Sequence, residues 1–111
     1  MNLHVDSVGD VKVVRIQEER LVFQTLNAFT DSIAQLIEEG DKKLLLDLRH
    51  VQYMDSASIG GLADLYRRSS EGSGSLKLFG LQDRVERMVS LVGLHNLIDI
   101  FREEKAALEK F

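Results

Sequence analysis

Asp55-Ser56-Ala57-Ser58 sets one carboxylate and two hydroxyls in a row. The apolar run Leu44-Leu45-Leu46, continued after Asp47 by Leu48, comes before it. Ile59, Leu62, Ala63 and Tyr66 follow at helical spacing. The four residues therefore stand where a strand has ended and a helix must begin. The first N–H groups of a helix have no intrahelical acceptor, and the dipole puts partial positive charge there. Asp and Ser are favoured at such a position as caps, because their oxygens accept from those N–H groups. The same geometry holds a phosphate. Ser56 is thus a candidate phospho-acceptor and Ser58 a second one, with Asp55, Ala57 and Gly60 shaping the loop around them. A phosphate adds about −1.5 to −2 charges and three acceptor oxygens. The helix start tolerates that charge, whereas a partner docked on the loop does not.

Other chemistry finds less support. Ser56 with His50 and Asp47 has the residue types of a hydrolase triad, but the Gly-x-Ser-x-Gly elbow is missing. Asp47 at a strand end has the type of a phospho-accepting aspartate. That chemistry needs an acidic cluster for Mg²⁺, and the strands around Val5 and Val14 end without one. His4, His50 and His95 lack ligand-like spacing, and the chain has no cysteine. The residues thus imply no catalytic group, no metal and no cofactor.

Fourteen Lys and Arg against 18 Asp and Glu give a net charge of −4, with no basic face for direct nucleic-acid binding. No apolar run approaches the roughly 18 residues of a membrane span. The first residues show no cationic segment leading into an apolar one, so a cytoplasmic location is expected. With 44% apolar residues, 111 residues suffice for one core. Scaling gives about 6,200 Å² of surface for such a folded chain.

The elements that position the loop follow from periodicity. Leu3-His4-Val5 and Val11–Ile16 alternate, with a turn at Gly9-Asp10, and predict a hairpin. Leu26, Phe29, Ile33, Leu36 and Ile37 predict a helix closed at Gly40. Leu44–Leu46 predicts a strand buried on both faces. A second helix is expected from about Ser56 to Ser70, with Gly60 and Gly61 letting it pack closely on the sheet. A strand at Leu76–Phe79 follows. A third helix is expected to open at Gly80, carrying Leu81, Val85, Met88, Val89 and Val92, and to stop at Gly93. Leu97–Phe101 predicts a last strand, and residues 102–111 a short, partly frayed helix or tail. The order ββαβαβαβ(α) predicts one α/β domain over residues 1–111, a mixed β-sheet with amphipathic helices packed on it. The stripe Phe23, Leu26, Phe29 is expected to face the core. Were Val22 and Phe23 exposed instead, they would form an apolar patch beside Ser56.

At these residues the chain resembles the STAS family of anti-sigma factor antagonists. Leu46-Asp47-Leu48, Val51, Met54-Asp55-Ser56, Ile59-Gly60 and Leu62 are similar to the family's strand–loop–helix signature. Leu78-Phe79-Gly80-Leu81, Val85, Met88, Val89 and Val92-Gly93-Leu94 resemble its later strand, helix and closing glycine-leucine. The resemblance covers about residues 3 to 101. It implies that Ser56 is the regulatory phosphoserine. The unmodified protein would bind an anti-sigma factor that is also a serine kinase, and a metal-dependent serine phosphatase would reset the switch. ATP and Mg²⁺ would belong to the kinase. It also implies a partner surface over Arg20, Leu21, Val22 and Phe23 together with Met54, Asp55 and Ser56. The sequence leaves the oligomeric state open between a monomer and a weak dimer. The chain departs from the family at Ser58, usually glycine, and at Val22-Phe23, where family members often have Asp. A constitutive STAS scaffold subunit of a larger regulatory or transport assembly, never phosphorylated, is the alternative.

Overall fold

The computed structural model describes residues 1–111. Its first two strands, β1 (Leu3–Val8) and β2 (Val11–Ile16), form an antiparallel hairpin in which Val8 pairs with Val11. The two-residue turn needs positive φ, and Gly9 supplies it at +61°. After β3 (Arg20–Leu21) and a 3₁₀ turn at Phe23–Thr25, helix α1 (Leu26–Glu38) crosses to β4 (Lys43–Asp47). Next come β5 (Tyr53–Met54), α2 (Ser56–Glu71), β6 (Ser75–Phe79), α3 (Asp83–Val92), β7 (Ile100–Phe101) and α4 (Glu104–Leu108). The main sheet runs β1-β2-β4-β6-β7, with every pair after the hairpin parallel. It is the mixed sheet expected of strands alternating with crossover helices.

Strand alternation sends side chains to two faces. Val14, Ile16, Leu44, Leu46, Leu76 and Leu78 face α1, α2 and α3, where Phe29, Ile33, Ile59, Leu62, Leu65, Val85 and Val89 complete the core. Val11, Val13, Leu45 and Phe79 face the other way, against Ala107 of α4 and the half-buried Phe101, Leu108 and Phe111. Central β4 is therefore covered on both sides, as its unbroken Leu run requires. The total surface is 6165 Å².

Several expectations need correction. Gly80 does not open α3: its φ is +78°, and the helix starts at Asp83 with Gln82 as cap. Arg49 lies so close that a Cβ on Gly80 would come 2.4 Å from Arg49 Cγ. The last strand shrinks to Ile100–Phe101, because Leu94–Asn96 form a 3₁₀ turn whose carbonyl at Leu94 accepts from Ile98. Ile98 is buried without being a strand residue. Gly61 serves the approach of α1, not the sheet: a Cβ there would lie 2.7 Å from Leu26 Cδ1 and 3.2 Å from Thr30 Cγ2. Gly60 faces solvent. Residues 102–111 are a docked element, not a frayed tail, since Ala107 is fully buried and Glu104 is ion-paired to Arg15. The small parallel pair β3–β5 has no counterpart in the periodicity; with two residues per strand there is no period to read.

Candidate functional site

The loop from β4 to α2 is held by one carboxylate. Asp55 caps α2: its Oδ1 accepts from the Ser58 N–H at 2.9 Å. Its Oδ2 accepts from the Phe23 N–H at 2.9 Å, and its own N–H donates to the Leu21 carbonyl at 3.2 Å. Asp55 thus ties the start of α2 to the loop after β3, two segments more than 30 residues apart in sequence. Pairing of Arg20 with Tyr53 and of Leu21 with Met54 fixes the same approach.

Ser56 is the first residue of α2 and is exposed. One helical turn on, the exposed Gly60 has nothing within 4 Å of where a Cβ would sit, so no side chain crowds the hydroxyl from that side. Phe23 lies across the Asp55 bridge with 69% of its surface exposed, and Val22 beside it is half-buried. The core assignment of Phe23 is therefore wrong. The chain is extended at Val22 and enters a 3₁₀ turn at Phe23, which breaks the helical phase before α1 begins. The guanidinium groups of exposed Arg20 and Arg84 lie 4.7 Å and 4.9 Å from the ring of half-buried Tyr53. Sequence reasoning passed over Tyr53 and Arg84. Their meeting depends on α3 approaching β5, and no local signal reports that.

Three expected site residues lie elsewhere. Leu21 and Met54, assigned to the partner surface, are 1% and 0% exposed and belong to the core. Alternation within the β3–β5 pair turns Arg20 and Tyr53 outward and Leu21 and Met54 inward. Ser58, the second candidate phospho-acceptor, is 1% exposed, and its Oγ has no hydrogen-bond partner. Two residues are about 200° around a helix, so the turn that exposes Ser56 buries Ser58. The first hydroxyl is open to solvent and the second is not.

Asp47 is not gathered with His50 and Ser56 into a triad. It is 1% exposed, and both its oxygens are taken by arginines. Oδ1 accepts from the Arg49 N–H and Nε, each at 3.0 Å; Oδ2 accepts from Arg49 Nη2 at 2.8 Å and Arg15 Nη1 at 3.2 Å. Arg15 is shared with Asp6 and with Glu104 of α4. The cluster anchors α4 to the sheet and pins the first residues of the loop after β4.

Desolvation pushes the carboxyls of Asp47 and Asp55 up, but hydrogen bonds overcome it and hold both below the ordinary range. Those at Asp47 come from Arg49 and Arg15; those at Asp55 come from the Ser58 and Phe23 N–H groups. A carboxyl whose pKa falls on folding contributes stability that is complete above the unfolded value, about 3.9 for Asp. That contribution is lost as the pH drops through the lower folded value. The urea midpoint is expected to be level from about pH 7 to 5 and to fall below about pH 4. In Asp47→Asn that acid-side fall should be shallower; an equal fall would mean that Asp47 does not carry it.

An α/β domain in which Asp55 ties an exposed aromatic to the helix start that carries an exposed hydroxyl has the build of a small binding module. The family model of the STAS domain matches residues 2–107, and the chain belongs to that family. It is 30% identical over 112 residues to the anti-sigma-B factor antagonist of Bacillus subtilis, covering 98% of this chain and 100% of that protein. Among solved structures it is similar to an anti-sigma factor antagonist from Mycobacterium paratuberculosis, with TM-score 0.88 and 20% identity over 98% of this chain and 92% of that one. It is also similar to the Bacillus cell fate determinant SpoIIAA in its phosphorylated form, with TM-score 0.73 and 16% identity over 98% of each chain. At those identities the two structures show the fold alone.

No helix is long and apolar enough to cross a membrane, and no three His, Cys, Asp or Glu side chains converge as a metal site would require.

Proposed function

We propose that this chain is an anti-sigma factor antagonist, a cytoplasmic binding protein rather than an enzyme. Its docking surface is closed by phosphorylation of Ser56. The carrying observation is that Ser56 is exposed at the start of α2, while Asp55 holds the exposed Phe23 beside the same helix start. The B. subtilis relative's name supports the partner class. In this reading the unmodified protein docks an anti-sigma factor that is also a serine kinase, through Arg20, Val22, Phe23 and the start of α2. Phe23 supplies an apolar anchor and the exposed arginines favour a surface carrying carboxylates. The kinase transfers phosphate from its own ATP to Ser56, and the complex separates. A serine phosphatase removes the phosphate and restores docking.

The test uses the purified kinase partner with ATP. Phosphate should enter wild type at Ser56 and not Ser56→Ala, and Ser58 should stay unlabelled. Phe23→Ala should weaken docking by about tenfold or more, the range of a buried aromatic anchor. Label elsewhere, or undiminished docking by Phe23→Ala, would contradict the assignment. The uncharged Val22-Phe23 pair favours a second reading, a constitutive STAS subunit. Equal partner affinity in wild type, Ser56→Ala and Ser56→Asp would select it.

A further inference from the structure

Strand β1 is an edge of the sheet, and its outer side is open. The phase of its hydrogen bonds is fixed at its foot, where the Gln17 N–H donates to the Asn2 carbonyl at 2.9 Å. With the register Leu3↔Ile16 through Val8↔Val11, this makes His4, Asp6 and Val8 the residues bonded to β2. The N–H and C=O groups of Leu3, Val5 and Ser7 therefore point outward. Natural edges are commonly blunted by proline, a bulge or a short strand. The chain has no proline, the β1–β2 register is unbroken, and β1 has six residues. Val5 on this edge is 41% exposed.

We infer that β1 is a self-association surface, on which a second copy of this chain adds its own β1 antiparallel about a two-fold axis at Val5. The register follows from three constraints. Outward groups must face outward groups, so an odd-numbered residue must oppose an odd-numbered one. An axis at Asp6 would set carboxylate against carboxylate. An axis at His4 would set imidazole against imidazole and leave Val8 beyond the end of the second strand. At Val5 the outward groups of Leu3, Val5 and Ser7 meet those of Ser7, Val5 and Leu3 of the second copy. Val5 meets Val5 on the face that carries the helices. On the other face His4 stands opposite Asp6 of the second copy, and the symmetry repeats that pair. The Asp6 carboxylate is already held by Arg15 Nε at 3.0 Å and its other oxygen by His4 at 2.8 Å. The second His4 would therefore add to a carboxylate whose present partners lie on β2 and on its own strand. Directly opposed apolar and opposite-charge pairs are the stabilising units of a sheet. Two short strands bury little area, so the pairing is weak and concentration-dependent.

None of the Ser56 loop lies on this edge, so the pairing stands or falls separately from the proposed switch. Sedimentation of the purified chain from micromolar to millimolar concentration should show a monomer–dimer equilibrium. By hydrogen exchange, the amides of Leu3, Val5 and Ser7 should slow as concentration rises, while those of His4, Asp6 and Val8 stay slow throughout. Val5→Lys sets like charges across the axis and should weaken association by about tenfold or more with an unchanged melting temperature. Leu91→Lys, on the exposed face of α3, should associate like wild type. A wild type that stays monomeric to millimolar, a Val5→Lys variant that dimerises as well as wild type, or Leu3, Val5 and Ser7 amides indifferent to concentration would each overturn the proposal.

Discussion

The protein phosphorylated at Ser56 is expected to bind the anti-sigma partner about 30- to 150-fold more weakly than wild type, and Ser56→Asp, with about −1 charge, to lose about 5- to 20-fold. A phosphate of about −1.75 charges placed about 6 Å from a partner carboxylate meets a repulsion of about 5 kcal/mol at an effective dielectric of about 20. Ionic screening reduces that to about 2–3 kcal/mol, which is the stated loss of affinity. The fold itself should not respond. Ser56 occupies the first turn of α2, where negative charge is favoured, and it makes no contact on which the core depends. The two readouts therefore separate: titration calorimetry should show the affinity falling while the melting temperature of Ser56→Asp stays within about 2 °C of wild type. If binding and melting fell together, the charge would be acting on the fold and the switch would be wrong. Binding unchanged by both Ser56→Asp and full phosphorylation would leave Ser56 outside the interface.

Asp47→Ala is expected to be the most damaging change outside the apolar core, lowering stability by about 2–3 kcal/mol. Breaking a buried ion pair costs about 3–5 kcal/mol when the remaining charge is sealed in. Here the loss is moderated, because Arg49 is about half exposed and Arg15 keeps Asp6 and Glu104. What remains is the part-buried Arg49 N–H without its acceptor, the loss of the tie to β2, and a looser seat for α4. With a urea slope of about 1–1.5 kcal/mol/M for a chain this small, the midpoint should fall by about 2 M. Asp47→Asn preserves shape and an acceptor oxygen and should fall by about half as much. A shift below about 0.5 kcal/mol for Asp47→Ala would mean that the cluster is only a surface feature.

These outcomes divide along a physical line. Residues 44–48, 59–66 and 76–79 declare themselves because their partners are whole faces: any apolar run of the right period finds a core. Gly93 stops α3 as expected, with φ +80°, because a left-handed cap is a local requirement. Gly80 misleads for the complementary reason. Its positive φ serves a turn beneath Arg49, and glycine as a letter does not say which distant side chain lies above it. The final strand is shorter than its apolar run because apolarity at Leu97-Ile98 reports no strand: Leu97 is exposed, and Ile98 is buried just after a 3₁₀ turn.

The sequence by itself determined the mixed α/β architecture, the placing of Ser56 where a helix starts, and the presence of capping side chains there. These depend on spacing along one strand and one helix, interactions within a few residues of each other. Only the tertiary structure decided which hydroxyl is open and which is sealed, that Phe23 stands out while Leu21 and Met54 turn in, and that Asp47 belongs to arginines rather than to a reacting centre. Each of those turns on the angle at which segments tens of residues apart meet. Hydrogen bonds such as Asp55 to Phe23, and ion pairs such as Arg15 to Glu104, set those angles without leaving a period in the chain.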